Sequence, residues 1–201
     1  MRVLGVDVGV KCSHYVVTCE KKVVEKGKIE ETGKMGEVGS TRETSEPDLD
    51  GILPRVDFAG IDAPLSFPRK GSLRECEKKL YKFGIRLFPS GAEFFKPVVL
   101  KGIEIAQSLR KNSVEVYEVY PFATRKILGI APESKKNRKA GLERIKFELR
   151  KYLEFDDLEN SDLVDAAIAA LTVELYLEGK GELVSGKDGS ILIPSLGEKI
   201  V

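Results

Sequence analysis

The eleven residues Ser161-Asp162-Leu163-Val164-Asp165-Ala166-Ala167-Ile168-Ala169-Ala170-Leu171 restrict this chain more than any other stretch. They read as the opening of a helix over Asp162–Leu177, with Ser161 as its N-cap. That start puts Asp162 and Asp165 in the first turn, three residues apart and on neighbouring faces. The helix dipole favours acids there by about 0.3–1 kcal/mol each. The dipole does not explain why four alanines follow. Side chains that small let a helix backbone lie close against a sheet, so this is expected to be a buried helix with acids at its N-terminal end.

A sheet to receive it is visible at the N-terminus. Arg2–Val8 is dense in Val and Leu, the pattern of a buried strand. His14–Cys19 and Val23–Ile29 read as the next two strands, with Glu20-Lys21-Lys22 turning between them, so the three form an antiparallel meander. Val56–Ile61 is a fourth apolar strand, ended by Asp62-Ala63-Pro64, and Val114–Tyr120 is the clearest strand, followed directly by Pro121. Helices are expected from about Ser72 to Gly84 and over Val98–Leu109, Phe122–Leu128 and Lys139–Leu153. Glu182-Leu183-Val184 and Ile191-Leu192-Ile193 around Lys187-Asp188-Gly189 form a hairpin. Glu30–Gly51 is polar, shows no period and reads as a long loop. The expected class is α/β, a mixed sheet with antiparallel and parallel strands, flanked by helices.

Three further carboxylates are placed where chemistry happens. Asp7 interrupts an apolar strand in Gly5-Val6-Asp7-Val8-Gly9, which is costly unless the group is paired, protonated or bound to metal. The alternative is a strand-end residue that reaches solvent or caps a turn. Asp62 ends a later strand, and open α/β sheets place their sites at that end; alternatively it only turns the chain before Ala63-Pro64. Glu118 alternates onto the face of Val114, Val116 and Tyr120, as a further ligand or as a salt-bridged glutamate near a sheet edge. Asp7, Asp62, Asp162 and Asp165, with Glu118, suit oxygen-only coordination of Mg²⁺ or Mn²⁺. Two such ions about 3.5–4 Å apart clamp the attacking and leaving oxygens in phosphodiester hydrolysis.

With 201 residues, 42% of them hydrophobic, the chain is long enough for one cored domain, alone or with an insertion. Its net charge of +1 rules out a global field for nucleic acid or an anionic membrane, so any nucleic-acid site must be local. Lys135, Lys136, Arg138 and Lys139 form one basic group and Arg69, Lys70 and Arg74 another. Either is a solvated face or a phosphate contact. The single histidine, His14, excludes a two-histidine zinc site and an HExxH protease. Cys12 and His14 alternate onto one strand face with no third group evident, so they read as filler. Cys12, Cys19 and Cys76 form no CxxC and are odd in number, which points to the reducing cytoplasm. Asp7 interrupts what would be the apolar part of a signal peptide, and no run approaches the roughly 18 residues of a membrane span, so no membrane is expected.

The acids and what lies between them resemble a known group. Asp7, Asp62 and Asp162-x-x-Asp165-Ala166 are similar in layout to the RNase H-like nucleases, particularly RuvC-type Holliday-junction resolvases. More closely, Gly5-Val6-Asp7, Ile61-Asp62-Ala63-Pro64-Leu65, Arg74-x-Cys76, Pro89-Ser90, Glu118-Val119-Tyr120-Pro121, Lys139-x-Gly141-Leu142 and Asp162-x-x-Asp165-Ala166 resemble the family called domain of unknown function 429. Its members are described as predicted RNase H-like nucleases. About Glu30–Val56 has no counterpart. The resemblance implies a single RNase H-like domain over residues 1–201, with a polar loop at about 30–55 and a helical insertion at about 66–112. It implies a Mg²⁺- or Mn²⁺-dependent nuclease on structured DNA or RNA. Asp7, Asp62, Asp162 and Asp165 would hold metal, Glu118 would join the catalytic acids, and Arg74, Lys135, Lys136, Arg138 and Lys139 would hold phosphates. A homodimer is an open alternative to the monomer. So is a non-catalytic module of the same fold that binds nucleic acid or a protein partner.

Overall fold

Alternation along the first strand sets the architecture. The computed structural model describes residues 1–29, 49 and 55–196. In β1 (Arg2–Asp7), Leu4 and Val6 are fully buried on one face, while Val3, Gly5 and Asp7 look to the other. β1 pairs antiparallel with β2 (Ser13–Cys19), which pairs antiparallel with β3 (Lys22–Ile29). On its other edge β1 pairs parallel with β4 (Phe58–Asp62), and β4 pairs parallel with β5 (Glu115–Glu118). The sheet order is β3-β2-β1-β4-β5, the mixed sheet expected from the sequence.

Between β4 and β5 lie α1 (Glu75–Lys82), a 3-10 turn (Glu93–Phe95) and α2 (Lys96–Lys111). α2 packs Ile105, Ala106 and Leu109 on the face of Leu4, Val6, Ala59 and Ile61. After β5 come α3 (Pro121–Leu128), α4 (Lys139–Leu149) and α5 (Ser161–Leu177). α5 covers the opposite face. Its Ala166, Ala167, Ile168 and Leu171 share a core with Val16, Ile145 and Leu149, and its Ala169, Ala170 and Val173 share one with Val3. A separate hairpin, β6 (Gly181–Gly186) and β7 (Gly189–Pro194), closes on α1 and α3 through Val184, Ile191 and Ile193.

Several boundaries shift for local reasons. β4 begins at Phe58 rather than Val56, and β5 is shorter than Val114–Tyr120. α1 begins at Glu75 rather than near Ser72, because the Glu77 carboxylate accepts from the Arg74 backbone N–H at 2.9 Å and sets the first turn there. α4 stops at Leu149 instead of Leu153. The β2–β3 turn is Glu20-Lys21, both with positive φ (51° and 58°). Such a two-residue turn follows the strand twist, and buried Glu174 of α5 steadies it by accepting from the Lys21 N–H at 2.8 Å. The expected polar loop at about 30–55 lies, apart from Leu49 and Arg55, outside the described residues. Among the described residues no helix is long and apolar enough to cross a membrane.

Candidate metal centre

Strand register brings the acids together. Asp7 is the direct partner of Asp62 in the parallel β1–β4 pair, and the direct partner of His14 in the antiparallel β1–β2 pair. His14, Asp7 and Asp62 therefore form a row across three neighbouring strands at one end of the sheet. α5 ends over this row. Its cap is Asn160, not Ser161: Asn160 Oδ1 accepts from Asp162 N at 3.0 Å and Leu163 N at 2.8 Å. Ser161 instead donates to Asp162 Oδ1 at 2.9 Å. With the helix fixed there, Asp162 keeps a half-exposed side chain. Asp165, one turn further in, is buried over the sheet end.

One oxygen from each of Asp7, Asp62 and Asp165 lies within 4.8 Å of the others, a spacing one cation can span. Bringing three carboxylates this close out of water resists their ionisation. Burial, and next the charge of Asp165, push Asp7 up to about 7. Burial pushes Asp62 well above the ordinary carboxylate range, with Asp7 and Asp165 adding to it. Asp165 is raised by burial as well, although Lys136 opposes this. Lys136 donates to Asp165 Oδ2, and the pull of the acids outweighs its own desolvation to hold its ammonium above the usual lysine value.

The segment that carries Lys136 is itself anchored. The buried Arg125 guanidinium donates to the carbonyls of Ile130 (3.2 Å), Ala131 (2.6 Å) and Ser134 (3.0 Å). Gly141 of α4 admits the Lys135 carbonyl, which a Cβ there would meet at 2.2 Å. The acids open into a cleft of about 530 Å³ whose walls include Lys135, Lys136, Tyr120, Phe88 and Phe95. Lys135, Arg138 and Lys139 are exposed. The aromatic wall comes from Phe88–Pro97, an aromatic stretch of the sequence with no strand or helix period.

Two expected site residues lie elsewhere. Arg74 is fully buried, not on a phosphate-binding surface. Its guanidinium donates to Glu77 (Nε at 3.1 Å, Nη2 at 3.0 Å), to Glu118 Oε2 (2.7 Å) and to Ser66 Oγ (3.0 Å). Glu118 in turn accepts from the Leu65 N–H at 2.8 Å. Glu118 is thus the salt-bridged alternative: it ties α1 to the segment after Asp62 rather than standing among the acids. Glu118→Gln keeps the hydrogen-bonding shape but removes a charge from a buried pair whose arginine still has Glu77. We expect a loss of about 1–3 kcal/mol in urea unfolding, with the Mn²⁺ affinity measured by calorimetry unchanged.

A family described as protein of unknown function (DUF429) matches residues 5–189. Among solved structures, Thermus thermophilus RuvC aligns with a TM-score of 0.47 at 14% identity, over 94% of this chain and 99% of that one. T. thermophilus RuvC in complex with a Holliday junction substrate aligns with a TM-score of 0.50 at 17% identity, over the same shares. At such identities the likeness is one of fold, and the fold is RNase H-like. No curated protein matches the chain.

Proposed function

From the premise that the chain belongs to the family described as protein of unknown function (DUF429), we propose that it is a divalent-metal-dependent nuclease acting on structured DNA or RNA. The observation that carries this reading is the convergence of Asp7, Asp62 and Asp165, whose carboxyls burial raises above the ordinary carboxylate range beside one bonded lysine. A merely structural acid cluster gains nothing from such crowding. A hard divalent cation relieves it, and an all-oxygen donor set suits Mg²⁺ or Mn²⁺. When bound there, such a cation supplies Lewis acidity to the phosphodiester and lowers the cost of water attack. The protein's own part is to hold that charge at the sheet end, with half-exposed Asp162 beside Asp7. Exposed Lys135, Arg138 and Lys139 position the phosphate backbone.

A branched duplex is the substrate to assay first, because the RuvC of similar fold is solved with a Holliday junction. Four-way junctions, flaps and RNA hairpins should be cut in millimolar Mg²⁺ or Mn²⁺ and not in chelator, and Asp7→Asn should abolish the cut. Divalent-dependent cleavage of none of them, or cleavage that survives Asp7→Asn, would overturn the reading. Replacing Lys135, Arg138 and Lys139 by glutamine should weaken binding to all sequences alike. It should also make the fall of affinity with salt shallower, since each lost phosphate contact removes about 0.9 from that slope on duplex DNA. Gel shifts at graded salt measure both.

One observation favours the second reading, a non-catalytic nucleic-acid module: the Lys136 ammonium already sits on Asp165. In such a module the lysine would serve as a permanent countercharge. Mn²⁺ would then bind only after Lys136→Ala, whereas a nuclease binds it in the wild type. Titration calorimetry on the two proteins separates the readings.

A further inference from the structure

We infer that His14 is the nitrogen ligand of a second divalent cation, held with Asp7 and Asp162 next to the position framed by Asp7, Asp62 and Asp165. The inference deepens the nuclease reading and rests on it. A ligand atom from each of Asp7, His14 and Asp162 lies within 4.8 Å of the others, close enough for one cation to span. The two sets share Asp7, which stands between His14 and Asp62 in the cross-strand row. An ion in each set would thus be bridged by one carboxylate.

The imidazole gives independent reason to expect a ligand. His14 is only 8% exposed, and its Nδ1 is buried without a hydrogen-bond partner. Buried polar nitrogens are nearly always satisfied, since leaving one bare costs the desolvation of that group. The nearest acid oxygen, Asp162 Oδ2, lies 3.5 Å away, too long for a good hydrogen bond. Asp162 belongs to the well-capped first turn of α5, and His14 is fixed by the β1–β2 register, so their separation is set by the fold. The donor sets also differ in kind. Three carboxylates suit Mg²⁺ and Mn²⁺ alike, whereas a set with an imidazole nitrogen favours Mn²⁺ or Co²⁺ over Mg²⁺.

Because His14 is the only histidine in the chain, a tag-free preparation carries a single imidazole that metal can meet. Titrating wild-type protein with Mn²⁺ should give two ions per chain, and electron spin-echo modulation should show ¹⁴N directly bound to one of them. His14→Gln should lose that modulation and one ion while keeping the other, and it should discriminate less between Mn²⁺ and Mg²⁺. Asp162→Asn, a change at a half-exposed position that spares the imidazole, should also lower the count to one. If His14→Gln does not fold, the wild-type modulation and the Asp162→Asn count decide. Bound Mn²⁺ without nitrogen coupling, or two ions retained in Asp162→Asn, would overturn this inference. If bound Mn²⁺ were still lost in Asp7→Asn, the nuclease reading would stand. No Mn²⁺ bound to the wild type at all would overturn both.

Discussion

Replacing Asp7 by asparagine is expected to raise, not lower, the melting temperature of the chelator-treated protein at pH 8. An unfolded aspartate titrates near pH 3.9. In the folded chain, burial and then Asp165 hold Asp7 up to about 7. The proton is therefore bound more tightly in the native state. The stability this contributes is full below about pH 4 and disappears as pH rises through 7. At pH 8 the folded protein keeps a carboxylate that resists ionisation there, at a cost on the order of 2–4 kcal/mol. Asparagine has the same shape and no charge to hold. For a chain of this size the gain corresponds to roughly 5–10 °C, and it should vanish at pH 4. Mn²⁺ should reverse the ranking. A ligand that binds only the native state stabilises it by about 2.7 kcal/mol at a hundredfold excess over its dissociation constant. Since the carboxyls must lose their protons to bind metal, the wild-type increment should grow from pH 5 to pH 8. The asparagine variant should lose most of that increment together with all cleavage. Thermal melts of both proteins at pH 4, 5 and 8, in chelator and in millimolar Mn²⁺, measure every part of this. An asparagine variant that melts much lower in chelator, beside a wild type unmoved by metal, would make Asp7 a structural residue and end the nuclease reading.

The parts of this site that can be read from the sequence are those whose cause is local. Asp7 and Asp62 stand out because one interrupts and the other ends an apolar strand, and the strands are recognisable from their apolar residues alone. The alanines after Asp165 announce a helix that must lie close to something. What depends on pairing between distant segments is not visible. His14 looks like filler until the β1–β2 register sets it opposite Asp7, and nothing within several residues of it hints at that. Arg74 follows Arg69 and Lys70 and so resembles a surface charge, but its partner Glu118 lies 44 residues away. The only nearby clue is Glu77, three residues on, which fits a helix start. Glu118 sits on the inward face that alternation gives it, and there it meets a guanidinium. Asn160 and Ser161 are both good caps at adjacent positions, and one residue of ambiguity decides how deep Asp165 is carried. Asp165 falls in the second turn, not the first, and is correspondingly buried.

Gly5→Ala, the addition of one methyl group, is expected to damage this protein more than any substitution at the acids. Gly5 lies on the α5 face of β1, two residues before Asp7, and its strand partner is Gly60 of β4. A Cβ on Gly5 would stand 1.9 Å from the Ala166 carbonyl oxygen and 2.6 Å from the Ala170 nitrogen. At Gly60 it would meet the Ala169 oxygen at 2.7 Å and Val173 Cγ2 at 2.9 Å. The atoms met at Gly5 are helix backbone, which cannot change rotamer to make room. The small side chains of both elements together allow this contact, so the alanines of α5 and the glycines of the sheet serve one packing. Relief requires α5 to lift as a body from the sheet, opening a core that includes Val3, Ala169, Ala170 and Val173. A loss above about 4 kcal/mol follows, in the range where a marginally stable domain stops folding. Gly27→Ala is the matched control. The nearest atoms its Cβ would meet are outer ring atoms of half-buried Tyr15, at 2.8 Å for Cε1, and that side chain can shift. We expect it to stay within about 1 kcal/mol of wild type. Near-UV circular dichroism and urea unfolding of the two variants provide the comparison. A Gly5→Ala protein as stable as Gly27→Ala would mean that α5 does not lie on β1 at this distance. Asp165, carried by α5, would then have no reason to reach Asp7.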